Sequence, residues 1–293
     1  MNDVRLPSPP APLERVPSGA LVLGSILSVQ FGAALAATLF ASVGAAGAAS
    51  LRVVLGTVIL LAVWRPTLRG HSRRDLGLIA TFGLVLGAMN LSFYEAVNRI
   101  PLGIAVALEL LGPLTVALAG SRRRLDLVWI GLAVLGIVLL TRVGGGSLDG
   151  LGIALALLAG CCWGTYIVLN ARLGRSTQRG SLALAMCFAA VLVLPFGVAQ
   201  AGGSLLGREA LVVGAAVGLL STAIPYSLEL EALRRIEPHV FGVLMSLEPA
   251  AAALAGLVIL GQQLTARELV GVVLVMAASM GASRTGRDSP IAL

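Results

Sequence analysis

Laid on itself with a shift of 136 residues, the chain repeats. Glu95, Ala96, Arg99 and Ile100 fall on Glu231, Ala232, Arg235 and Ile236. Further on, Leu108, Leu111, Pro113 and the run Ala117-Leu118-Ala119-Gly120 fall on Leu244, Leu247, Pro249 and Ala253-Leu254-Ala255-Gly256. Both copies lie in strongly apolar sequence, so the pattern is that of a duplicated membrane unit. Each copy reads as five spans. An odd number of spans sends the second copy into the membrane from the opposite side, which is the organisation of inverted-repeat secondary transporters, with a polar site near the midplane where the halves meet.

Composition leaves little room for anything else. Of 293 residues 57% are hydrophobic and 12% charged, and the mean hydropathy is +0.95. A soluble domain needs a polar face on each element, and this chain has too few polar residues to supply them. Apolar stretches recur that are long enough to cross a hydrocarbon core of about 30 Å. The net charge of +7 would suggest nucleic acid in a soluble protein, but every basic residue is an arginine in a short loop apart from Arg52, so it reads as topology and no nucleic-acid partner is expected. Cys161, Cys162 and Cys187 fall inside apolar runs, where a thiol behaves as a small hydrophobe, so no disulfide framework is implied. The proline-rich first 18 residues read as a disordered tail before the first span, not as a cleaved signal peptide.

The expected fold is an all-α integral membrane protein of ten transmembrane helices. The spans are expected at 19–40, 44–64, 76–97, 101–120, 125–141, 150–170, 181–200, 209–230, 238–257 and 267–283. The domains that follow are a cytoplasmic tail at 1–18, a first repeat at 19–141, a second at 150–283 and a second tail at 284–293. With the N-terminus inside, sixteen arginines fall in cytoplasmic segments and Arg99, Arg142, Arg208 and Arg267 outside. The positive-inside rule therefore places both termini in the cytoplasm. Gly83 with Gly87, and Gly214 with Gly218, are small-xxx-small pairs expected to let helices approach closely.

An ionisable side chain at the centre of a span costs about 2.5–3.5 kcal/mol on insertion scales, so each is a functional candidate by default. Three are deep: Arg52, Glu109 and Glu248. Arg52 has two open roles, pairing with a glutamate or holding a substrate carboxylate in its planar fork of donors. Glu109 stands four residues before Pro113, and Glu248 immediately precedes Pro249. A proline leaves the carbonyl four residues earlier without its helical partner, so loosened backbone is expected beside an acid in matching spans, and both acids are placed to carry protons. Glu95 and Glu231 occupy equivalent positions and are expected to form ion pairs with Arg99 and Arg235. Gln30, Asn90, Tyr94, Trp163, Tyr166 and Tyr226 add polar or amphipathic groups within spans. No phosphate-binding loop of the Walker A kind is present. Gly144-Gly145-Gly146 reads as a linker, His71 and Asp75 as part of a basic loop, and His239 as a residue at a helix start. No metal site, cofactor or catalytic constellation is implied, so an enzyme is not expected.

Several runs resemble the drug/metabolite transporter superfamily in its ten-span EamA form, and within it the threonine/homoserine exporters. In the first half they are Ser28-Val29-Gln30-Phe31-Gly32-Ala33, Leu51-Arg52, Gly87-Ala88-Met89-Asn90 and Pro101 through Glu109. In the second they are Cys162-Trp163, Leu220 through Glu229, Leu244-Met245-Ser246-Leu247-Glu248-Pro249-Ala250, and Ala277 through Gly281. The resemblance covers residues 20–283. Two positions depart from it: Gln262 stands where the family has an acid, and Ala37 where the exporters have a lysine. The resemblance implies a basket of ten helices around a central cavity in a bacterial inner membrane, exporting small amino acids. Its implied partners are an amino-acid substrate and the lipid bilayer, with the chain a monomer or homodimer. Gln30, Arg52, Asn90, Glu109, Trp163, Tyr226 and Glu248 are the expected substrate-binding residues, with Glu109 and Glu248 as proton-coupling candidates. The alternatives are export of aromatic amino acids or purines and, in another class, a lipid flippase or membrane enzyme.

Overall fold

The computed structural model describes residues 16–64, 66, 72–119, 125–141, 149–173, 178–233, 235 and 238–285. The first fifteen residues, His71, the triple-glycine loop and most of the topogenic arginines lie outside these, and the side chain of His239 does too. Every described element is helical. In chain order they are α1 (Ser18–Ala37), α2 (Phe40–Trp64), α3 (Arg73–Val97), α4 (Leu102–Glu109), α5 (Leu111–Ala119), α6 (Asp126–Thr141), α7 (Gly150–Leu173), α8 (Gln178–Ala201), α9 (Arg208–Gly218), α10 (Ile224–Leu233), α11 (Pro238–Met245), α12 (Glu248–Leu260) and α13 (Ala266–Thr285). A π-helical segment, Leu219–Ala223, joins α9 to α10. Among the described residues eight helical stretches are long and apolar enough to cross a membrane, and two shorter apolar helices cover Leu102–Val116 and Leu127–Leu140. This is a multi-pass membrane protein.

The distribution of side chains is the reverse of a soluble protein's. Large aliphatics such as Val63, Leu127, Val191, Val212 and Val258 point outward, while the interior is rich in alanine, including Ala45, Ala48, Ala49, Ala96, Ala105, Ala107, Ala252 and Ala255. Lipid solvates leucine as well as protein does, so hydrophobicity does not drive helices together here; small residues do, by letting backbones meet and gain dispersion contacts. Gly83 and Gly87 sit against Ala185 and Ala189 of α8, and Gly214 and Gly218 against Leu51 and Gly56 of α2. The close-approach role expected of both pairs is what the structure shows.

Helix packing follows the sequence repeat. α2 packs on α8 and α6 on α13, each pair joining repeat equivalents. The packing of α3 on α7 is matched by that of the α9–α10 stretch on α1, and α3 on α8 by α9 on α2. Two expected spans are broken, at Leu110 between α4 and α5 and at Ser246-Leu247 between α11 and α12. Leu110 and Ser246 are themselves 136 residues apart. α4 lies at the centre, with all eight of its residues buried.

Two glutamine side chains start helices of the other half. Gly44 takes a φ of 71°, a left-handed conformation open to glycine at little cost, and so separates the first turn of α2 from the rest. The amides exposed beyond it are capped by the Gln200 side chain, whose Oε1 accepts from Ala46 N at 2.8 Å and Gly47 N at 3.3 Å. Gln262 Oε1 likewise accepts from Leu102 N, at 3.0 Å, at the start of α4. An acid there would accept the same bond; glutamine keeps it without the charge.

Candidate functional site

The site grows from a defect in the helix between α9 and α10. Within the π-helical turn the N–H of Ile224 reaches back to Leu219 O, bypassing Leu220. Pro225 follows and has no N–H to offer Leu220 or Ser221. Two carbonyls inside the membrane are thereby left without helical partners, and an unsatisfied carbonyl there costs several kcal/mol. Both are taken by side chains from the other half. Ser28 Oγ of α1 donates to Leu220 O at 2.6 Å, and Arg52 Nη2 of α2 donates to Ser221 O at 3.3 Å. Segments of this kind recur at functional sites because they present backbone groups that an α-helix hides.

Arg52 is therefore held by neutral groups. Its Nη1 donates to Tyr94 Oη at 3.5 Å, and its Cζ lies 5.5 Å from the centre of the Tyr94 ring, within range of a cation–π attraction. Tyr94 is fixed in turn by Phe40 and Phe93, with ring centres 6.1 and 6.0 Å away. Among the described residues Arg52 forms no ion pair within 4.0 Å, although Glu109 and Tyr226 are within its electrostatic reach. A guanidinium carries five donors. Two long hydrogen bonds leave it with the capacity for a bidentate carboxylate.

The two deep glutamates lie at the broken helices. Glu109 ends α4, and Glu248 begins α12 with Pro249 in its first turn. They are 9% and 6% exposed, and no described residue hydrogen-bonds to either carboxylate. The carbonyl of Glu109, deprived of its helical N–H by Pro113, packs beside Gly160 of α7, where any side chain would collide with it. Glu248 is within electrostatic reach of both Glu109 and Glu229. The structure thus gathers Arg52, Glu109, Tyr226 and Glu248 into one region.

The other expected site residues are neutral and have their own surroundings. Asn90 is buried, but its amide donates to Leu86 O of its own helix at 2.9 Å. Trp163 packs half-buried against the alanine-rich core. Gln30 is 3% exposed, and its Oε1 has no partner among the described residues. Tyr94, Ser221, Ser28 and Glu229 are the participants whose roles the sequence did not reveal. The signal for the carbonyls was present in Ile224-Pro225, by the same proline argument that was applied to Pro113 and Pro249.

One expected ion pair forms and one does not. Arg235, beyond the end of α10, binds Glu231 of that helix and also donates through Nη1 to Val16 O at 3.1 Å. Arg99 instead reaches across to Asp149, at 3.1 Å, rather than to Glu95. The cause is local: the N–H of Leu151 donates to Asp149 Oδ1 at 2.9 Å, presenting the other oxygen to the arginine. The Arg99 hydrogen bond, and after it the Leu151 N–H, hold the Asp149 carboxyl below the usual carboxylate range. Asp75 is engaged in a capping box with Ser72 at the start of α3, a structural use.

Residues 150–284 match the EamA-like transporter family. The chain is 45% identical over 273 residues to the threonine/homoserine exporter RhtA of Salmonella typhimurium LT2, covering 92% of each sequence. It is 45% identical over 270 residues to the protein of the same name from Escherichia coli K12, covering 91% of each. A crystal structure 20% identical in sequence shares the fold, with a TM-score of 0.58 over 92% of this chain and 97% of that one.

Proposed function

Because the chain belongs to the EamA-like transporter family, we propose that it is a secondary transporter of a bacterial inner membrane that exports small amino acids of the threonine and homoserine type by alternating access. The observation that carries the proposal is the state of Arg52. It is a permanent cation inside the membrane, held by a tyrosine and a carbonyl rather than by an acid. A zwitterionic amino acid supplies the missing carboxylate, and bidentate binding to a planar guanidinium favours it over a single-oxygen ligand.

The organisation that goes with this is two inverted five-span repeats, 19–141 and 150–283, with both termini in the cytoplasm. Broken helices at the midplane are the usual form of a site in such transporters. α4 ends with Glu109 and α12 begins with Glu248 at the two helix breaks, which supports this reading. In the proposed cycle these two carboxyls exchange protons with the side to which the cavity opens. Their neutralisation lowers the cost of occluding the site while substrate is bound to Arg52. Tyr226 is within electrostatic reach of Arg52 and contributes a hydroxyl to the same region, Trp163 an apolar wall, and Gln30 and Asn90 neutral polar groups.

The test is reconstitution of the purified chain in liposomes, with labelled threonine and homoserine followed against an amino-acid panel, with and without a pH gradient. Saturable flux of one, competed by the other and accelerated by the gradient, is the expected result. Flux of neither removes the substrate assignment. Flux indifferent to the gradient removes Glu109 and Glu248 as proton carriers.

A further inference from the structure

Glu229 lies three residues beyond Tyr226 on α10, about one helical turn closer to the end of the span. It belongs to no repeat match, and the cycle proposed above gives it no part. Ser25 Oγ of α1, fully buried, donates to Glu229 Oε1 at 2.6 Å. Tyr166 of α7 and Glu248 of α12 are within its electrostatic reach, as is Tyr226. Its carboxylate is thus bound to α1, with ionisable groups of α7 and α12 nearby, and it keeps some accessible surface. Among the described residues no arginine or histidine pairs with it. Tyr226 is within electrostatic reach of both Arg52 and Glu229.

An acid in a membrane span with one hydroxyl donor and no cation among the described residues is an expensive group to keep. A primary ammonium is a ligand that suits it, since it is cationic and donates in three directions. We propose that Glu229, with Ser25, Tyr226 and Tyr166, is a separate site for the ammonium group of the substrate on the cytoplasmic side of Arg52. The inference rests on the transport reading above. Export then begins with capture of the ammonium group at Glu229. The substrate turns past Tyr226, and its carboxylate reaches Arg52. The two stations sort ligands by different groups, so only a molecule with both completes the passage.

The chemistry separates the stations. Threoninol keeps the ammonium and lacks the carboxylate, while 2,3-dihydroxybutyrate keeps the carboxylate and lacks the ammonium. Both are used as inhibitors of labelled threonine flux in proteoliposomes holding the full chain. In Glu229→Gln the potency of threoninol is expected to fall about tenfold, the loss of one charge-assisted contact, with dihydroxybutyrate unchanged. Arg52→Gln shows the converse in equilibrium binding of the two analogues. Threoninol acting equally on Glu229→Gln and the parent protein, or both inhibitors weakening together, overturns the proposal. If the glutamine variant does not insert, Glu229→Asp carries the same test. Its shortened arm shifts threoninol alone, and an equal shift in both inhibitors, or in neither, is the overturning result. Parent vesicles that move no threonine overturn the transport reading itself, before any variant is compared.

Discussion

The two broken helices have the same backbone and opposite chemistry. The interruptions at Leu110 and Ser246 are 136 residues apart, and each is followed at the same offset by a proline, Pro113 or Pro249. In the first half the acid precedes the break, so Glu109 sits at the carbonyl end of α4. In the second it follows the break, so Glu248 sits at the amide end of α12. A helix favours negative charge at its amide end and disfavours it at its carbonyl end. The repeat position of Glu248 in the first half is Gly112, pressed against the backbone of Gly160, where no side chain fits. Duplication therefore explains the breaks, while neighbouring helices decide which side of each break has room for an acid.

The most damaging way to disturb this comparison is to fill the first half where the second carries a side chain. Gly112→Val drives a Cβ into the Gly160 carbonyl, and overpacking of this kind costs about 3 kcal/mol. The expected outcome is little folded protein by size exclusion in detergent. Gly131→Ala in α6, where a Cβ meets nothing within 4 Å, leaves yield and thermal midpoint unchanged.

Next in size is Arg52→Gln. It removes the cation that the first half sends to the π-helical turn of the second, and threonine kcat/KM is expected to fall about 100-fold, as for loss of a charged pair with a carboxylate. The protein still inserts, because Ser28 retains its bond to Leu220 O. Glu109→Gln and Glu248→Gln come third. Each is expected to abolish the acceleration by a pH gradient while leaving threonine–threonine exchange in place, which counterflow measures directly. Exchange lost in one and kept in the other would show that the two acids do different work.

Smaller again is Pro225→Ala. It restores an N–H that competes with Arg52 for the Ser221 carbonyl, and KM is expected to rise about threefold, the worth of one neutral hydrogen bond. The least effect belongs to Arg99→Gln, which releases Asp149. Because the folded Asp149 carboxyl lies below its unfolded value, the pair stabilises the protein above the ordinary carboxylate range, and the contribution is lost as pH falls through the folded value. The parent and variant melting curves, separated slightly at neutral pH, are expected to merge in acid.

Much of the fold was legible because the membrane imposes simple rules. Length and apolar runs placed the helices to within a few residues, and the prolines at 113 and 249 marked where two of them break. Those signals are local, set by whether an N–H exists. The ion pair of Arg99 was misread because spacing on one helix says nothing of Asp149, held 50 residues away by the Leu151 amide. That the Asn90 amide donates to Leu86 O of its own helix is likewise invisible to hydropathy. Glu229 entered only as the end of the Leu220–Glu229 run, because its partner Ser25 lies 204 residues away.

By itself the sequence determined that the chain is a duplicated, proline-broken set of membrane helices carrying three deep charges, since hydropathy, repeat and missing N–H groups are properties of the covalent chain. Only the tertiary structure decided what those charges face. Arg52 meets a tyrosine and a freed carbonyl rather than an acid, and a further acid, Glu229, meets a serine of α1. Such partners come from helices far apart in sequence, and their meeting depends on which glycines and alanines let the backbones close.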